Sequence, residues 1–269
     1  MKINRWDCHA HVFGPYDQYP LASGRSYSPP EALLEDYCAL LNDLHLQRGV
    51  LVHPSAYGQS YELLFNCLER EKSLRGVIVL DASSPLKTKD LRQKGIRGAR
   101  FSARSGTNMN FFGSASFDDF LSLRDQLSAS GLHAELWTDC KKLPQIEAQL
   151  LDSPIDVVID HMGGFDVQLG TNDPGFQCLL RLLDSGKIWL KLCAYRNLLQ
   201  EKDINSGQAF HAKLLEVNPD RLVWGTDWPH LNVSPAPLTQ DLLDTLIRWT
   251  PETEVLEKIL SKNPSQLYE

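Results

Sequence analysis

Three histidines and one aspartate lie at the ends of apolar segments that are far apart in the chain. His9 and His11 close the first such segment, His161 closes the sixth, and Asp227 closes the eighth. Residues two apart on a strand point to the same side, so His9 and His11 can work together. Any one of these residues alone is better explained as a structural histidine or a turn-capping aspartate. The four together indicate imidazole and carboxylate chemistry, which hydrolysis by an activated water requires.

Asp227 has the most informative local sequence. The apolar segment over residues 221–227 ends at a Gly-Thr pair, and Pro229, which has no backbone donor, then stops the strand. An acid at the end of a buried strand contributes little to packing but is well placed to act as a base or a metal ligand. A turn cap is the alternative for an isolated aspartate. The histidines elsewhere in the chain favour the catalytic interpretation.

Other reaction types lack their motifs. Gly163-Gly164 is too short for a phosphate-binding GxGxxG loop, and the chain has no Gly-x-Ser-x-Gly elbow of a serine hydrolase. Cys8 stands next to His9, but strand alternation predicts that it points away from both histidines and into the helix layer. Cys8 is therefore expected to serve packing rather than to act as a nucleophile.

Composition narrows the partners and the compartment. The chain has 269 residues, of which 42% are hydrophobic, enough for a sizeable core. With 34 acidic against 27 basic residues and a formal charge of −7, nucleic acid is not expected as a partner. No apolar run has membrane-spanning length, and residues 1–7 lack a signal-peptide apolar region. Six scattered cysteines without a CxxC pair predict reduced thiols in a cytoplasmic protein.

Eight apolar segments with strand character alternate with segments of helical periodicity. The predicted strands cover residues 3–13, 48–54, 76–81, 96–102, 132–138, 155–161, 188–194 and 221–227. The later predicted helices cover 61–70, 87–94, 117–130, 141–151, 173–186, 204–217, 239–249 and 252–262. The first helix is predicted to begin at Ser28, with Pro29 in its first turn and Glu31 closing a capping box.

Eight strands, each followed by a helix, predict a parallel sheet that is buried on both faces. At this length the pattern favours a closed (β/α)8 TIM barrel of the α/β class over an open, doubly wound sheet. No linker divides the chain, so residues 1–269 are predicted to form a single domain. In such a barrel the reactive residues lie at the carboxyl ends of the strands. By this rule, the same end of the barrel is also expected to carry Arg100, Lys191, Tyr195 and Arg196.

Motifs from one end of the chain to the other resemble the amidohydrolase superfamily. They are Asp-x-His-x-His-Val-Phe-Gly-Pro at 7–15, Gly-x-Arg-Phe at 98–101, Asp-His-Met-Gly at 160–163, Trp-Gly-Thr-Asp-Trp-Pro-His at 224–230 and Asn-Pro-x-x-Leu-Tyr at 263–268. Within that superfamily the chain is most similar to the amidohydrolase-2 branch of 2-pyrone-4,6-dicarboxylate lactonases and sugar lactonases. The resemblance implies that Asp227 is the general base toward water. His9, His11 and His161 are then expected around the lactone carbonyl oxygen.

The resemblance also implies a set of substrate contacts. Arg100 and Arg196 match positions that hold a carboxylate, and Tyr27 and Asn232 match further contact positions. Tyr195, beside Arg196, is expected to contact the substrate as well. The partner implied is a small carboxylated lactone, and a homo-oligomer is one state that the sequence allows.

The chain departs from the dicarboxylate lactonases at two positions. A second arginine is expected six residues after Arg100, where this chain has Gly106 and Arg104 is the nearest substitute. A further arginine is expected after His-Met-Gly, where this chain has Gly164. A carboxylate is best held by a bidentate guanidinium. The absence of arginine at these two positions therefore favours a substrate lactone with fewer carboxylates, or a sugar-acid lactone.

The resemblance implies that no metal is required. If zinc or manganese is bound, His9, His11, His161 and Asp227 would hold it. Trp137 closes the fifth strand and cannot be a ligand. Lys191 could stabilise charge in the site or form a structural ion pair.

Three alternatives remain open from the sequence. A metal-dependent decarboxylase would use the same residues but normally adds a histidine after strand seven, where this chain has Tyr195-Arg196. Another metal-dependent hydrolase of the superfamily is the second alternative. A non-catalytic carboxylate-binding barrel is the third.

Overall fold

Eight parallel strands pair in chain order in a computed structural model that describes residues 4–83, 88–105, 111–199, 201 and 203–269. The strands are β1 Trp6–Ala10, β2 Arg48–Val52, β3 Leu74–Val79, β4 Ile96–Ala103, β5 His133–Thr138, β6 Val157–Ile159, β7 Ile188–Leu192 and β8 Leu222–Trp224. The α-helices are α1 Leu34–Asp43, α2 Glu62–Arg70, α3 Phe117–Ala129, α4 Leu143–Leu151, α5 Pro174–Asp184, α6 Gln208–Val217, α7 Thr239–Trp249, α8 Thr253–Glu257 and α9 Asn263–Tyr268.

The chain just after β8 joins β1 and brings the first and last strands together. Asp227 N donates to His9 O at 2.8 Å, and His11 N donates to Trp228 O at 2.8 Å. Beside these bonds, the Asp7 carboxylate accepts hydrogen bonds from Thr226 N at 2.8 Å and from Thr226 Oγ1 at 2.7 Å. The sheet is therefore a nearly closed (β/α)8 barrel, which confirms the predicted TIM-barrel fold.

The barrel interior holds a cluster of side chains that come from several strands and from Leu267 and Tyr268 of the last helix. The members of this interior cluster are Trp6, Cys8, Val50, Val52, Val77, Val158, Trp189, Val223, Leu267 and Tyr268. The residues between them, such as Leu51, Ile78 and Leu190, pack outward against the helices. This alternation is typical of strands in a barrel.

Cys8 lies in this interior cluster, so its predicted place in the helix layer is wrong. The pairing of β1 with β2 shifts register between Asp7 and Ala10. The irregularity breaks the strict alternation, and both Cys8 and His9 face inward. Burial raises the pKa of the Cys8 thiol well above its ordinary value, and Cys8 serves packing as predicted.

The first helix begins five residues later than its sequence pattern indicates, because its N-cap is Leu33 and not Ser28. Ala32 pairs with Phe13 through two backbone hydrogen bonds of 2.8 and 2.9 Å, so the chain stays extended past Ser28. The helix starts at Leu34, and Asp36 Oδ2 accepts from Leu33 N at 3.1 Å. A tertiary contact of the loop therefore overrides the local capping signal.

The remaining elements match their predictions with smaller differences. The predicted helix over 252–262 is divided into α8 and a π-helical turn, Lys258–Lys262, which leads into α9. In the described part of the predicted helix over 87–94 the structure has a single 3₁₀ turn, Thr88–Asp90, and residue 87 lies outside the described residues. In the part of the chain that the structure covers, no helix is long and apolar enough to cross a membrane.

Candidate active site

A cleft of about 860 Å³ opens at the carboxyl ends of the strands. Eight of the ten residues predicted for the site line it: His11, Tyr27, Arg100, Arg104, His161, Arg196, Asp227 and Asn232. The other two, His9 and Tyr195, are buried behind the cleft wall, with exposed fractions of 0% and 6%. The site therefore has a solvent-facing layer and a supporting layer, a distinction that spacing along the chain does not reveal.

Asp227 lies between the two layers. Its Oδ2 accepts a hydrogen bond from Tyr195 Oη at 2.9 Å and another from Arg196 Nε. Its Oδ1 faces the Nε2 atoms of His9 and His11, each 3.6 Å away. Burial raises the pKa of Asp227, but the neighbouring histidines and the Arg196 guanidinium lower it by more, so it lies well below its usual range. The carboxylate is ionised, with Oδ2 anchored by two donors and Oδ1 beside the two imidazoles.

Backbone strain accompanies this placement. Asp227 has φ 57°, and His161 and Asn232 have φ values of 49° and 59°, in the left-handed region that non-glycine residues rarely adopt. Asn197 Nδ2 donates to His161 O at 2.9 Å and supports that turn. Such strained positions persist only where the surrounding contacts hold them, and they are concentrated at functional sites.

The two histidines of β1 differ in their hydrogen bonding. His11 Nδ1 donates to Val52 O at 2.7 Å, which leaves Nε2 directed toward Asp227. His9 Nδ1 lies 3.1 Å from Lys191 Nζ and 3.4 Å from Asp160 Oδ1, and the shorter contact is to the ammonium, which can only donate. Burial first, and then the Lys191 charge, lower the pKa of His9 to about 3, so its ring is neutral. A neutral ring that accepts at Nδ1 carries its proton on Nε2.

Lys191 supports this assignment because its ammonium donates to Glu135 Oε2 at 2.5 Å and to His9 Nδ1 at 3.1 Å. It also forms an ion pair with Asp160 Oδ1 at 3.3 Å. Burial lowers the pKa of Lys191, but Glu135 and Asp160 raise it more, so the ammonium stays charged. Lys191 thus forms a buried structural ion pair and also sets the tautomer of His9.

Arg100 completes a neutral group of four charges, in which Glu135, Asp160 and Lys191 are fully buried and Arg100 is partly exposed. Its Nε donates to Asp160 Oδ2 at 2.9 Å, which balances Glu135 and Asp160 against Lys191 and Arg100. The Arg100 guanidinium also lies 5.4 Å from the ring centre of Trp137. Within the described residues Arg100 is bonded through Nε, and it also lines the cleft.

Trp137 orders the basic side of the cleft, a role that the sequence did not indicate. The Arg104 guanidinium lies 4.7 Å from its ring centre, so Trp137 contacts two cations. Arg196 is held separately, by Asp227 and by Leu231 O at 2.7 Å from Nη1. Three guanidiniums therefore border one cleft.

Sequence reasoning missed two acids of the cleft wall, Asp139 and Asp166. Asp139 directly follows β5, so the strand-end rule could have found it. Its carboxylate accepts from Ser105 N at 2.7 Å. Asp166 lies in a loop several residues beyond β6, where no local pattern marks it. Both acids add negative charge to the cleft that the guanidiniums also line.

The histidines and Asp227 also have the atom types and spacing of a metal site. The nearest ligand atoms of His9, His11 and Asp227 lie within 4.8 Å of one another. His161 Nδ1 and His9 Nε2 are buried without a hydrogen-bond partner among the described residues. The residues therefore fit a divalent cation in type and spacing. The proton on His9 Nε2 works against coordination by that atom, because a ligand nitrogen must offer a lone pair.

Fold and site together define a TIM-barrel protein with candidate catalytic groups at the carboxyl ends of its strands. A family model described as Amidohydrolase matches residues 6–269, and the chain belongs to that family. It is 31% identical over 276 residues to the 4-sulfomuconolactone hydrolase of Hydrogenophaga intermedia, covering 100% of this chain and 89% of that protein. It is 30% identical to a 2-pyrone-4,6-dicarboxylate hydrolase of Comamonas testosteroni, covering 97% and 89%.

Solved structures give the same relationship. A probable 2-pyrone-4,6-dicarboxylic acid hydrolase from Acinetobacter baumannii, with citric acid bound, superposes with a TM-score of 0.84 at 27% identity over 99% of both chains. An amidohydrolase from Burkholderia multivorans with bound zinc superposes with a TM-score of 0.76 at 17% identity, over 98% of this chain and 99% of that one. The second likeness shows the fold alone. These relatives confirm the predicted superfamily and its lactonase branch.

Proposed function

We propose that the protein hydrolyses the ester bond of a carboxylated lactone, with Asp227 as the general base toward water. The observation that carries the proposal is the asymmetry of the Asp227 carboxylate. Oδ2 is held by Tyr195 and Arg196, while Oδ1 faces the cleft beside two imidazoles at 3.6 Å. A base needs a fixed orientation and one accessible oxygen, and Asp227 has both.

Arg196 links substrate binding to the basicity of Asp227. Its guanidinium helps to hold the pKa of Asp227 well below the usual range, which makes the carboxylate a weak base. A substrate carboxylate bound at Arg196 would offset this positive charge and add a negative one nearby. Both effects raise the proton affinity of Asp227. This coupling favours a substrate that carries a carboxylate over a neutral lactone.

The histidines supply the electrophilic side of the reaction. His9 carries its proton on Nε2, which points toward the Asp227 side of the cleft and has no partner among the described residues. His9 is fully buried, so this N–H orients Asp227 Oδ1, and the donor to the oxyanion that forms as water attacks the lactone carbonyl must come from a histidine that reaches the cleft. His161, which lines the cleft, and His11 surround the same region. The Asp227 proton then passes to the alkoxide leaving group as the ring opens.

The cleft favours one carboxylate over two. Arg100, Arg104 and Arg196 can hold an anion, but Asp139 and Asp166 lie on the same wall. Gly164 has φ 55°, and a Cβ there would lie 3.0 Å from Thr138 O. A longer side chain at that position would therefore be strained. The proposed substrate is a lactone with one carboxylate, with a sugar-acid lactone as the leading class.

We propose that no metal is required for this reaction. His9, His11, His161 and Asp227 are the residues that would hold zinc or manganese, and such an ion would polarise the lactone carbonyl and acidify water. The Lys191 contact to His9 and the three guanidiniums around the cleft disfavour a cation there. Asp227 then remains free to act as the base.

A lactone panel tests the proposal. It consists of 2-pyrone-4,6-dicarboxylate, 4-sulfomuconolactone, D-glucaro-1,4-lactone with one carboxylate, and neutral D-glucono-1,5-lactone. Acid release is followed with a pH-stat, and carbon dioxide is measured in parallel to detect decarboxylation. We expect D-glucaro-1,4-lactone to be hydrolysed fastest, without release of carbon dioxide. Carbon dioxide release would favour the decarboxylase alternative, and no turnover of any lactone would contradict the proposal.

A further inference from the structure

A chain of hydrogen bonds runs from the start of helix α7 to the Asp227 carboxylate. Thr239 Oγ1 lies 2.9 Å from His230 Nε2, and His230 Nδ1 lies 3.2 Å from Tyr195 Oη. Tyr195 Oη in turn lies 2.9 Å from Asp227 Oδ2. His230 and Tyr195 are buried, with exposed fractions of 5% and 6%. The chain therefore reaches Asp227 from the side opposite the cleft.

The direction of each hydrogen bond in this chain follows by elimination. An ionised carboxylate only accepts, so Tyr195 must donate its single proton to Asp227. His230 Nδ1 must then be the donor to Tyr195 Oη. Burial lowers the pKa of His230 to about 4, so the ring is neutral and has no second N–H. Its Nε2 therefore accepts from the Thr239 hydroxyl.

This polarity determines where the Tyr195 hydroxyl points. A phenol O–H can rotate about its C–O bond. The N–H of His230 Nδ1 already donates to the Tyr195 oxygen from one side, so the phenol proton must point elsewhere. The Tyr195 proton is thereby directed to Asp227 Oδ2. Arg196 holds the same oxygen. Anchoring Oδ2 from two directions prevents rotation of the carboxylate and keeps Oδ1 on the side of His9 and His11.

We propose that His230 is a positioning residue, which acts through Tyr195 to hold the Asp227 carboxylate in the orientation that a base requires. The inference rests on the proposed role of Asp227 and assigns a function to a residue that contacts neither the cleft nor, on that mechanism, the reacting atoms. Its backbone also has φ 62°, in the left-handed region. A strained histidine with both ring nitrogens bonded fits a positioning role.

The chain contains a matched control for this histidine. His211 is also buried, its Nε2 lies 2.9 Å from Thr250 Oγ1, and burial lowers its pKa to about 4. It lies on helix α6 and bonds to the residue after α7 instead of to Tyr195. His211→Ala therefore removes a comparable buried imidazole without removing any hydrogen bond of the Asp227 chain.

Kinetics of four variants test the proposal on the fastest-hydrolysed lactone of the panel above. His230→Ala is expected to lower kcat by about 10- to 100-fold with little change in KM, because misorientation of a catalytic group costs rate rather than binding. His230→Asn keeps an N–H near the position of Nδ1 and tolerates a positive φ, so it should retain most of the kcat. His211→Ala should retain kcat even if it lowers the melting temperature.

A double variant separates positioning from general destabilisation. If His230 acts through Tyr195, then adding His230→Ala to Tyr195→Phe should produce no further loss of kcat. Unchanged kcat in His230→Ala, or losses that multiply in the double variant, would overturn the proposal. Asp227→Asn is assayed alongside. An active Asp227→Asn would contradict the role of Asp227 itself, whereas an inactive Asp227→Asn with an active His230→Ala would contradict the positioning role alone.

Proton placement can also be tested without any substrate. Imidazole ¹⁵N shifts of ¹⁵N-histidine-labelled protein distinguish the two neutral tautomers, and His230→Asn assigns the signal. His230 is expected to carry its proton on Nδ1 at neutral pH. A proton on Nε2 would reverse the direction of the hydrogen bonds that His230 makes and would overturn the inference.

Discussion

Asp7 and Asp227 lie on opposite faces of the seam where β1 and the end of β8 close the barrel. Asp7 faces the helix layer and accepts from Thr226, from His9 N at 3.1 Å and from Tyr37 Oη at 3.0 Å. Every one of these donors is neutral. Asp227 faces the cleft, is held by Arg196 and Tyr195, and keeps one oxygen without a close donor.

The difference shows why burial alone does not identify a catalytic acid. Burial raises the pKa of Asp7 to about 6, and its four hydrogen bonds only partly oppose that effect. For Asp227 the surrounding positive and imidazole groups outweigh burial and keep the pKa well below its usual range. Asp7 has its lone pairs committed to closing the barrel. Asp227 has its charge stabilised and one oxygen left for chemistry.

Replacing each aspartate by asparagine should give the largest contrast. Asp227→Asn is expected to lower kcat by roughly 10²- to 10⁴-fold without unfolding the protein, because a positioned base is lost. Asp7→Asn should keep most of the kcat but lower the free energy of unfolding by about 1–3 kcal/mol, since an amide cannot accept all four hydrogen bonds. Steady-state kinetics and urea unfolding measure the two effects. Equal losses of kcat in both variants would remove the distinction between the two residues.

Arginine substitutions should give the next largest effects. Arg100→Met and Arg196→Met are each expected to raise KM, since losing one charge-assisted contact to a substrate carboxylate costs about 1.5–3 kcal/mol. Only Arg196→Met should also move the acidic limb of the kcat/KM profile to higher pH, because Arg196 lowers the pKa of Asp227. Kinetics over a pH series separates the two variants. Unfolding of Arg100→Met, with unchanged KM in the folded fraction, would assign Arg100 to Asp160 alone.

The pH dependence of stability should have opposite signs for the two aspartates. The pKa of Asp7 is raised from 3.8 to about 6, so its contribution to stability falls as pH rises through that interval. The pKa of Asp227 lies well below 3.8, so its contribution is present above that pH and is lost as pH falls toward the folded-state pKa. Subtracting the unfolding free energy of each asparagine variant from that of the parent protein isolates the two contributions. Slopes of the same sign would contradict the assignment.

Metal removal should give the smallest effect. Hydrolysis is expected to survive extensive chelation, and added zinc should not increase it, because Lys191 directs the His9 proton onto the nitrogen that faces Asp227. Elemental analysis of the chelated sample is the necessary control. Activity that disappears with a stoichiometric metal and returns when the ion is restored would place this chain among the metal-dependent members of the family.

Several features of the molecule could be predicted from residue order alone. Eight apolar segments alternating with helical periodicity indicated the barrel, because parallel strands buried on both faces leave that pattern. The rule that reactive residues lie at strand ends then predicted a common location for four residues. The structure places them in one cleft: His11, His161, Arg100 and Asp227. The first helix was placed too early because a loop contact between Phe13 and Ala32 competes with the capping sequence at Ser28. Local patterns contain no information about such distant pairing.

The sequence by itself determined the set of chemical groups and their position at the carboxyl ends of the strands. Only the tertiary structure decided which of them face the cleft and which stand behind it. Tyr195 and Arg196 are neighbours in sequence, yet only Arg196 lines the cleft, and Tyr195 serves as a link between His230 and Asp227. Proton positions and pKa values depend on burial and on partners from other strands. These are properties of the closed barrel, and they exist only after distant strands have met.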